Sequence, residues 1–265
     1  MTKTPRPIIT LLTDFGADDA YVGVMKGVIA GINPDANVVD LTHAIRAQNI
    51  THAAFVLAAS FAYFPKGTIH VAVVDPGVGS ARKIVCLKTA RYFFLAPDNG
   101  LLTLVAQREK PTLIVEVAKQ QYFLPKVSHT FHGRDVFAPV AAHLSLGLNP
   151  AKLGRRLQEI VQLDFPKPVA IRRGWRGEVV CVDRFGNLIT NITEQMLFAP
   201  QHTLVRIGQR HIHGIRQSYA QAKPGELLAL VGSTGHLEIS INLGNAAEHF
   251  RLGKGAPVRV TVACK

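Results

Sequence analysis

The run from Ile69 to Asp75, followed by Pro76-Gly77-Val78-Gly79-Ser80-Ala81-Arg82, constrains the fold of this chain more than any other stretch. Ile69 to Val74 is dense in β-branched residues, as a strand covered on both faces requires. Pro76, Gly77 and Gly79 then stop the strand and leave the backbone free to pass close to a ligand. A carboxylate at the carboxyl end of such a strand stands where open α/β sheets place their binding crevices. The same residues also describe an Asp that merely caps a tight turn.

Up to about residue 163, strand-like and helix-like segments alternate. Pro7 to Leu12 is expected as a first strand ending at Thr13-Asp14-Phe15-Gly16, with a helix from Asp18 or Asp19, where acids suit the first turn. Val38–Leu41 is a second strand, and Asn49 to Tyr63 a helix with Ala54, Leu57, Ala58 and Phe61 at helical spacing. Further strands are expected at Ile84–Leu87 and Tyr92–Leu95, the latter ending in Ala96-Pro97-Asp98-Asn99-Gly100. This alternation predicts an α/β domain, 1–163, with a largely parallel sheet. Phe165-Pro166-Lys167-Pro168 reads as a stiff connector, and 164–173 as a linker. Beyond Gly174 the segments are short and β-rich, punctuated by Gly, Asp and Pro, which predicts a small C-terminal β-barrel domain over 174–265.

Composition narrows the partners. A net charge of +12 raises nucleic acid as a candidate. The basic residues are scattered, however, no Lys/Arg run reaches five, and aromatics do not alternate with them as a base-stacking platform requires. Nucleic-acid binding is therefore not expected. Cys86, Cys181 and Cys264 lie far apart, which fits neither a disulfide framework nor a zinc cluster. No apolar run approaches a membrane span, and Met1–Arg6 has no apolar h-region of a signal peptide behind it, so a soluble, cytoplasmic protein without a membrane partner is expected.

Four polar stations lie in the first region: Asp14, Asp75 with Arg82, Asp98-Asn99, and Phe131-His132-Gly133-Arg134-Asp135. The first three follow strands, so a doubly wound topology gathers them at one edge. His132 opens an expected helix through Phe137, Val140, Ala141 and Leu144, whose start holds a nearby His neutral or steadies an anion. His129, His132 and Asp135 have a spacing that metal ligands also use, but no second ligand cluster accompanies them and no metal is expected. In the second region, Asp183 to Asn191 and Gly232 to Ile241 place acids, an aromatic, amides and hydroxyls around hairpin turns.

Taken in order, these stations resemble the S-adenosyl-L-methionine (SAM) hydroxide adenosyltransferase family, relatives of the fluorinating and chlorinating SAM enzymes. The matching pieces are Leu12-Thr13-Asp14-Phe15-Gly16, Asp75-Pro76-Gly77-Val78-Gly79 with Arg82, Ala96 to Gly100, Phe131 to Asp135, Asp183 to Asn187 and Gly235 to Asn242. The resemblance implies an N-terminal α/β domain joined to a small β-barrel, in a homotrimer whose sites lie between subunits. It implies a catalytic trio of Asp75, Arg82 and His132 that activates water or hydroxide to attack the ribose C5′ of SAM, giving adenosine and L-methionine. Asp75 is expected to fix the tautomer of His132. Asp14 and Asp75 would bind the ribose hydroxyls or the water, Asn187 and Ser233 the polar atoms of adenosine, and Phe185 the adenine face. Glu238 and the backbone near Ile241 would meet the base edge, and Asp183 the methionine ammonium. SAM is the substrate, and no cofactor is implied. Halogenating relatives lack the trio and carry an insertion in the N-terminal domain, so hydrolysis is favoured over halogenation. A SAM or adenosine sensor with little turnover is the alternative from another class. Thr234 and His236 depart from the family pattern, where Ser and an aromatic are common.

Overall fold

The structure is a computed structural model and describes residues 6–262, so the first five residues and Cys264 lie outside it. Contacts divide the chain into two compact units, Met1–Leu163 and Asp164–Lys265. Among the described residues no helix is long and apolar enough to cross a membrane.

The first unit runs β1 (Ile8–Thr13), α1 (Tyr21–Ile32), β2 (Asn37–Thr42), α2 (Ile50–Ser60), β3 (Ile69–Val73), β4 (Ile84–Lys88), β5 (Phe93–Pro97), α3 (Thr103–Arg108), β6 (Leu113–Glu116) and α4 (Ala138–Ser145). Its sheet has the order β2-β1-β3-β5-β4-β6. The β1–β2, β1–β3 and β3–β5 ladders are parallel, and β4 pairs antiparallel with both β5 and β6. The antiparallel edge has a local cause. Only a few residues join β4 to β5, and only antiparallel neighbours can be linked by so short a turn. Thr89 Oγ1 closes that turn by accepting from the Arg91 and Tyr92 N–H groups at 3.2 and 3.0 Å.

Every residue of β3 is buried, as its composition requires. Alternate positions feed two cores: Ile9, Leu11, Val71 and Val73 pack with Met25, Ile29 and Val140, while Leu12, Ala72 and Val74 pack with Leu57, Phe61 and Leu102. Helix α2 starts where expected, with the Asn49 side chain accepting from His52 N–H at 2.9 Å. Helix α1 starts later than its acids suggest. Tyr21 is its first residue and Ala20 its cap, so Asp18 and Asp19 fall in the preceding turn. The Phe15–Tyr21 ring contact at 5.7 Å ties that start to the end of β1.

The second unit contains β7 (Val169–Ile171), β8 (Gly174–Val182), β9 (Leu188–Thr193), β10 (Thr203–Ile207), β11 (Arg210–His213), β12 (Leu227–Val231), β13 (His236–Ile241), α5 (Ala246–Phe250) and β14 (Pro257–Val262). They form one antiparallel sheet, β11-β10-β14-β8-β9-β13-β12, and an isolated bridge between Arg216 and Leu230 brings its two ends together. The expected linker is only partly irregular, because β7 pairs with the start of β8 through a tight turn at Arg172-Arg173. Arg173, the second of the two turn residues, takes a φ of +64°, the position where a type II turn needs a positive φ.

One buried group gives the first unit a pH dependence. His70 on β3 is fully buried opposite Thr10, whose Oγ1 lies 2.8 Å from its Nδ1. Its ring stacks on Phe94 at 5.0 Å and meets the edges or faces of Phe61, Phe64 and Tyr92, and no hydrogen-bond partner among the described residues reaches its Nε2. Burial pushes its pKa down to about 3. The unfolded chain binds this proton near pH 6.5 and the folded chain does not, so stability present above that value is lost as pH falls towards 3. Urea unfolding over this window should show wild type losing about 1.4 kcal/mol more per pH unit than His70→Leu. Equal slopes would show that folded His70 accepts a proton freely.

Candidate active site

The sheet brings the acids together. Because Thr13 of β1 is in register with Val73 of β3, the chain leaves both parallel strands at one edge, with Asp14 beside Val74 and Asp75 next along. Asn99, leaving β5 at that edge, donates from Nδ2 to the Val74 carbonyl at 2.9 Å. Asp98 accepts from the Val161 N–H at 2.8 Å and so shapes a loop. The glycine-rich turn after Asp75 folds on itself, with Val78 N–H donating to the Asp75 carbonyl and Ser80 Oγ to the Gly77 carbonyl. Gly79 has a φ of +80°, and a Cβ there would stand 2.5 Å from the His129 carbonyl oxygen. Its bare backbone lets the turn close on the loop that carries His132.

Arg82 crosses from one loop to the other. Its Nε–H lies 2.9 and 2.8 Å from the two Asp75 carboxylate oxygens, and its Nη2 donates to Asp75 Oδ2 as well. The same Nη2 lies 2.8 Å from His132 Nδ1. A guanidinium only donates, so Nδ1 is the acceptor and the ring proton belongs on Nε2. The tautomer that Asp75 was expected to fix is therefore fixed by Arg82, with Asp75 acting through it. Burial and the Arg82 charge hold the His132 pKa below the ordinary histidine value, against the opposing pull of Asp75, Asp135 and a hydrogen bond to the Ser128 backbone. His132 is thus neutral at pH 7.

A second layer holds the His132 loop. Asp135 Oδ2 accepts from the Ser128 N–H at 2.8 Å, and Ser128 Oγ accepts from the Phe131 N–H at 3.0 Å. Burial alone would raise the Asp135 pKa, but the hydrogen bonds from Arg134 and Ser128 outweigh it and keep the carboxylate ionised. His132 directly precedes a π-helical turn, Gly133–Phe137, that runs into α4, so the expected helix start is present in a wider form.

Asp14, Asp75 and His132 line one cleft of about 220 Å³ with Phe15, Gln48 and Phe131, while Arg82 is not among its lining residues. Two carboxylates at its wall favour a cation, whatever the charge of the whole chain. Asp14 Oδ2 accepts from the Gln48 N–H at 2.7 Å, and Gln48 itself takes a φ of +62°. His43 anchors the same turn twice. Its Nδ1 lies 2.8 Å from Thr13 Oγ1, and its carbonyl accepts from the Gly16 N–H at 2.9 Å. Asp40 Oδ1 lies 3.0 Å from His43 Nε2. Among the described residues no group of three or more His, Cys, Asp or Glu side chains is arranged to hold a metal.

The second unit gathers most of its own stations. The Asp183 carboxylate accepts from the Phe185 and Asn187 N–H groups at 2.9 Å each and from Asn187 Nδ2 at 2.8 Å. Asn187 Nδ2 lies 3.5 Å from the Tyr219 hydroxyl, which donates to Glu238, and Ser240 Oγ donates to the same Glu238 oxygen at 2.9 Å. Burial, reinforced by the Glu238 carboxylate, raises the Tyr219 pKa and keeps the phenol a donor. Phe185 is 74% exposed and Ser233 lies exposed in the β12–β13 turn. The Ile241 side chain belongs to the barrel core, which leaves its backbone for any ligand contact.

An α/β unit with a polar cleft at its strand ends, followed by a barrel with a buried polar network, defines a two-domain class of protein. Comparison with known proteins makes the assignment specific. Family models for the SAM hydroxide adenosyltransferase N-terminal and C-terminal domains match residues 9–154 and 177–259. The chain is 40% identical to a protein of Thermus thermophilus named (R)-S-adenosyl-L-methionine hydrolase, over 96% of this chain and 99% of the relative. A Methanocaldococcus jannaschii protein of the same name is 39% identical, over 91% and 90%. A fluorinase of Actinopolyspora mzabensis is 28% identical over 97% of each chain. The solved structure of an uncharacterised conserved protein from Thermotoga maritima superposes with a TM-score of 0.90 at 39% identity, covering 96% of this chain and 99% of that one. The chain belongs to the SAM hydroxide adenosyltransferase family.

The contact at Gly79 is open to test. Gly79→Ala should destabilise by roughly 1–3 kcal/mol and lower turnover by displacing His132, because both the φ and the carbonyl oppose a side chain. Gly67→Ala, at φ +91° with open space around it, should cost less and leave turnover unchanged. Equal effects of the two substitutions on turnover would remove the claim that the two loops are packed to hold the trio.

Proposed function

We propose that this protein hydrolyses S-adenosyl-L-methionine to adenosine and L-methionine by in-line attack of water on the ribose C5′. The observation that carries the reading is the Asp75–Arg82–His132 clamp at a carboxylate-lined cleft, in a chain 35–40% identical to four proteins named (R)-SAM hydrolase. Those names also motivate the (R) sulfonium epimer as the preferred substrate. The fluorinase match supports hydrolysis over halogenation. It extends over 291 positions against 265 residues here, so the fluorinase carries residues that this chain lacks.

The chemistry asks little of an acid. The leaving group is a neutral thioether, and the C5′–S pair returns to sulfur without a proton. What must be supplied is a placed oxygen nucleophile. Asp75 faces the cleft and accepts the water proton as the C5′–O bond forms, after which the proton passes to solvent. Arg82 locks the orientation of Asp75 and His132 from behind. His132, neutral and with Nδ1 engaged, completes the clamp instead of serving as the base. Asp14 binds the ribose hydroxyls, and Asn187, Ser233, Phe185, Glu238 and the Ile241 backbone receive the nucleoside, with Asp183 for the methionine ammonium.

A 220 Å³ cleft is smaller than the 300–1,000 Å³ typical of sites that bury a ligand. A further surface would therefore complete the site, and the family resemblance is what motivates a homotrimer in which the C-terminal domain of a neighbouring subunit supplies it. We place the protein in the cytoplasm, where SAM is made and used. No cofactor or metal is required.

Incubation with each sulfonium epimer, with and without chloride, should yield equimolar adenosine and methionine, faster from the (R) epimer and unchanged by EDTA. Bound but unconsumed SAM would make the protein a sensor, and a 5′-chloro product would make it a halogenase. Asp75→Asn should lower kcat by roughly 10²–10⁴-fold, and His132→Ala by less. The reverse order would return the role of base to His132.

A further inference from the structure

The outer face of the barrel carries a row of like charges that the proposed reaction does not use. Arg259 on β14 stands directly opposite Arg206 on β10 and Arg176 on β8. His211 continues the row on β11. All three arginines are exposed, while Val258, Val260, Val205 and Ile207 beside them in the strands are buried, so the guanidinium groups share the outward face. Among the described residues no carboxylate pairs with any of the three. Glu178, two residues along β8 from Arg176, forms no ion pair with them, and Arg206 has only a long contact of 3.4 Å from Nε to the Gly208 carbonyl.

Directly opposed like charges destabilise a sheet, so three in register are unfavourable unless an anion lies between them. A cleft of about 290 Å³ does lie there, lined by Arg176, Arg206, Arg259, Gly208, Pro257 and Val258. Two strand spacings, about 9.5 Å, separate the outer arginines, a span that two or three linked phosphates can bridge. Guanidinium forks match phosphate oxygens in pairs, whereas a single small anion would reach only part of the row. We propose that this face of the barrel is a binding site for a linear phosphate chain, either free or carried by a nucleotide.

The test uses the intact protein in 150 mM salt, with inorganic tripolyphosphate as the probe in calorimetry. Wild type should bind it, and Arg259→Gln, which removes the central charge, should bind at least tenfold more weakly. The variant should turn over SAM like wild type, and without ligand it should melt no lower, because it loses a repulsion. A nucleoside triphosphate binding in competition with tripolyphosphate would support the same site. Absence of tripolyphosphate binding, equal affinity of the variant, or retention of single-stranded RNA that tripolyphosphate does not displace would overturn the proposal.

Discussion

A guanidinium held between a carboxylate and an imidazole can only donate, and that single fact orders the rest of the site. Arg82 gives Nε–H and Nη2–H to Asp75 and a further Nη2–H to His132 Nδ1. Two loops separated by 50 residues thereby become one rigid unit, and the histidine has no free acceptor on that side. The cleft is left with Asp14 and Asp75 as its acceptors and a neutral imidazole as its wall. Such an arrangement suits a cationic substrate whose leaving group needs no proton, because the remaining demand is for a placed and partly deprotonated water.

The fold supplies this geometry through parallel pairing. With β1 beside β3 in register, the acids that follow the two strands leave the same edge as neighbours, which is where open α/β sheets collect ligands. The loops above that edge are then fixed by backbone contacts that tolerate no side chain, as at Gly79, and by side chains that cap N–H groups, as Asp135 does through Ser128. Thr13, hydrogen-bonded to His43, does the same for the Phe15 N–H. Precision at the cleft thus comes from a layer of hydrogen bonds that does not touch the substrate.

Much of this was legible in the sequence, because strand ends and turn residues are local signals. The buried strand before Asp75, the acids at 14 and 75 and the change of texture near 164 all follow from periodicity and from Gly and Pro placement. Other features depend on contacts between distant segments. Nothing near His132 tells that Arg82, and not Asp75, meets its Nδ1. Tyr219 joins Asn187 and Glu238 across the barrel with no spacing that marks it. The antiparallel edge at β4 follows from the short link closed by Thr89, a signal that was present but outweighed by the strand–helix alternation before it. Asp18 and Asp19 suggested a helix start that aromatic packing placed at Tyr21 instead.

Nitrogen NMR of His132 at pH 7 tests the clamp most directly, because it reports which ring nitrogen carries the proton. The account predicts a neutral imidazole with the proton on Nε2 and a hydrogen-bonded, unprotonated Nδ1, and loss of that Nδ1 signature in Arg82→Lys. A proton on Nδ1, or a ring charged at pH 7, would contradict it and would place Asp75 as the direct partner of His132.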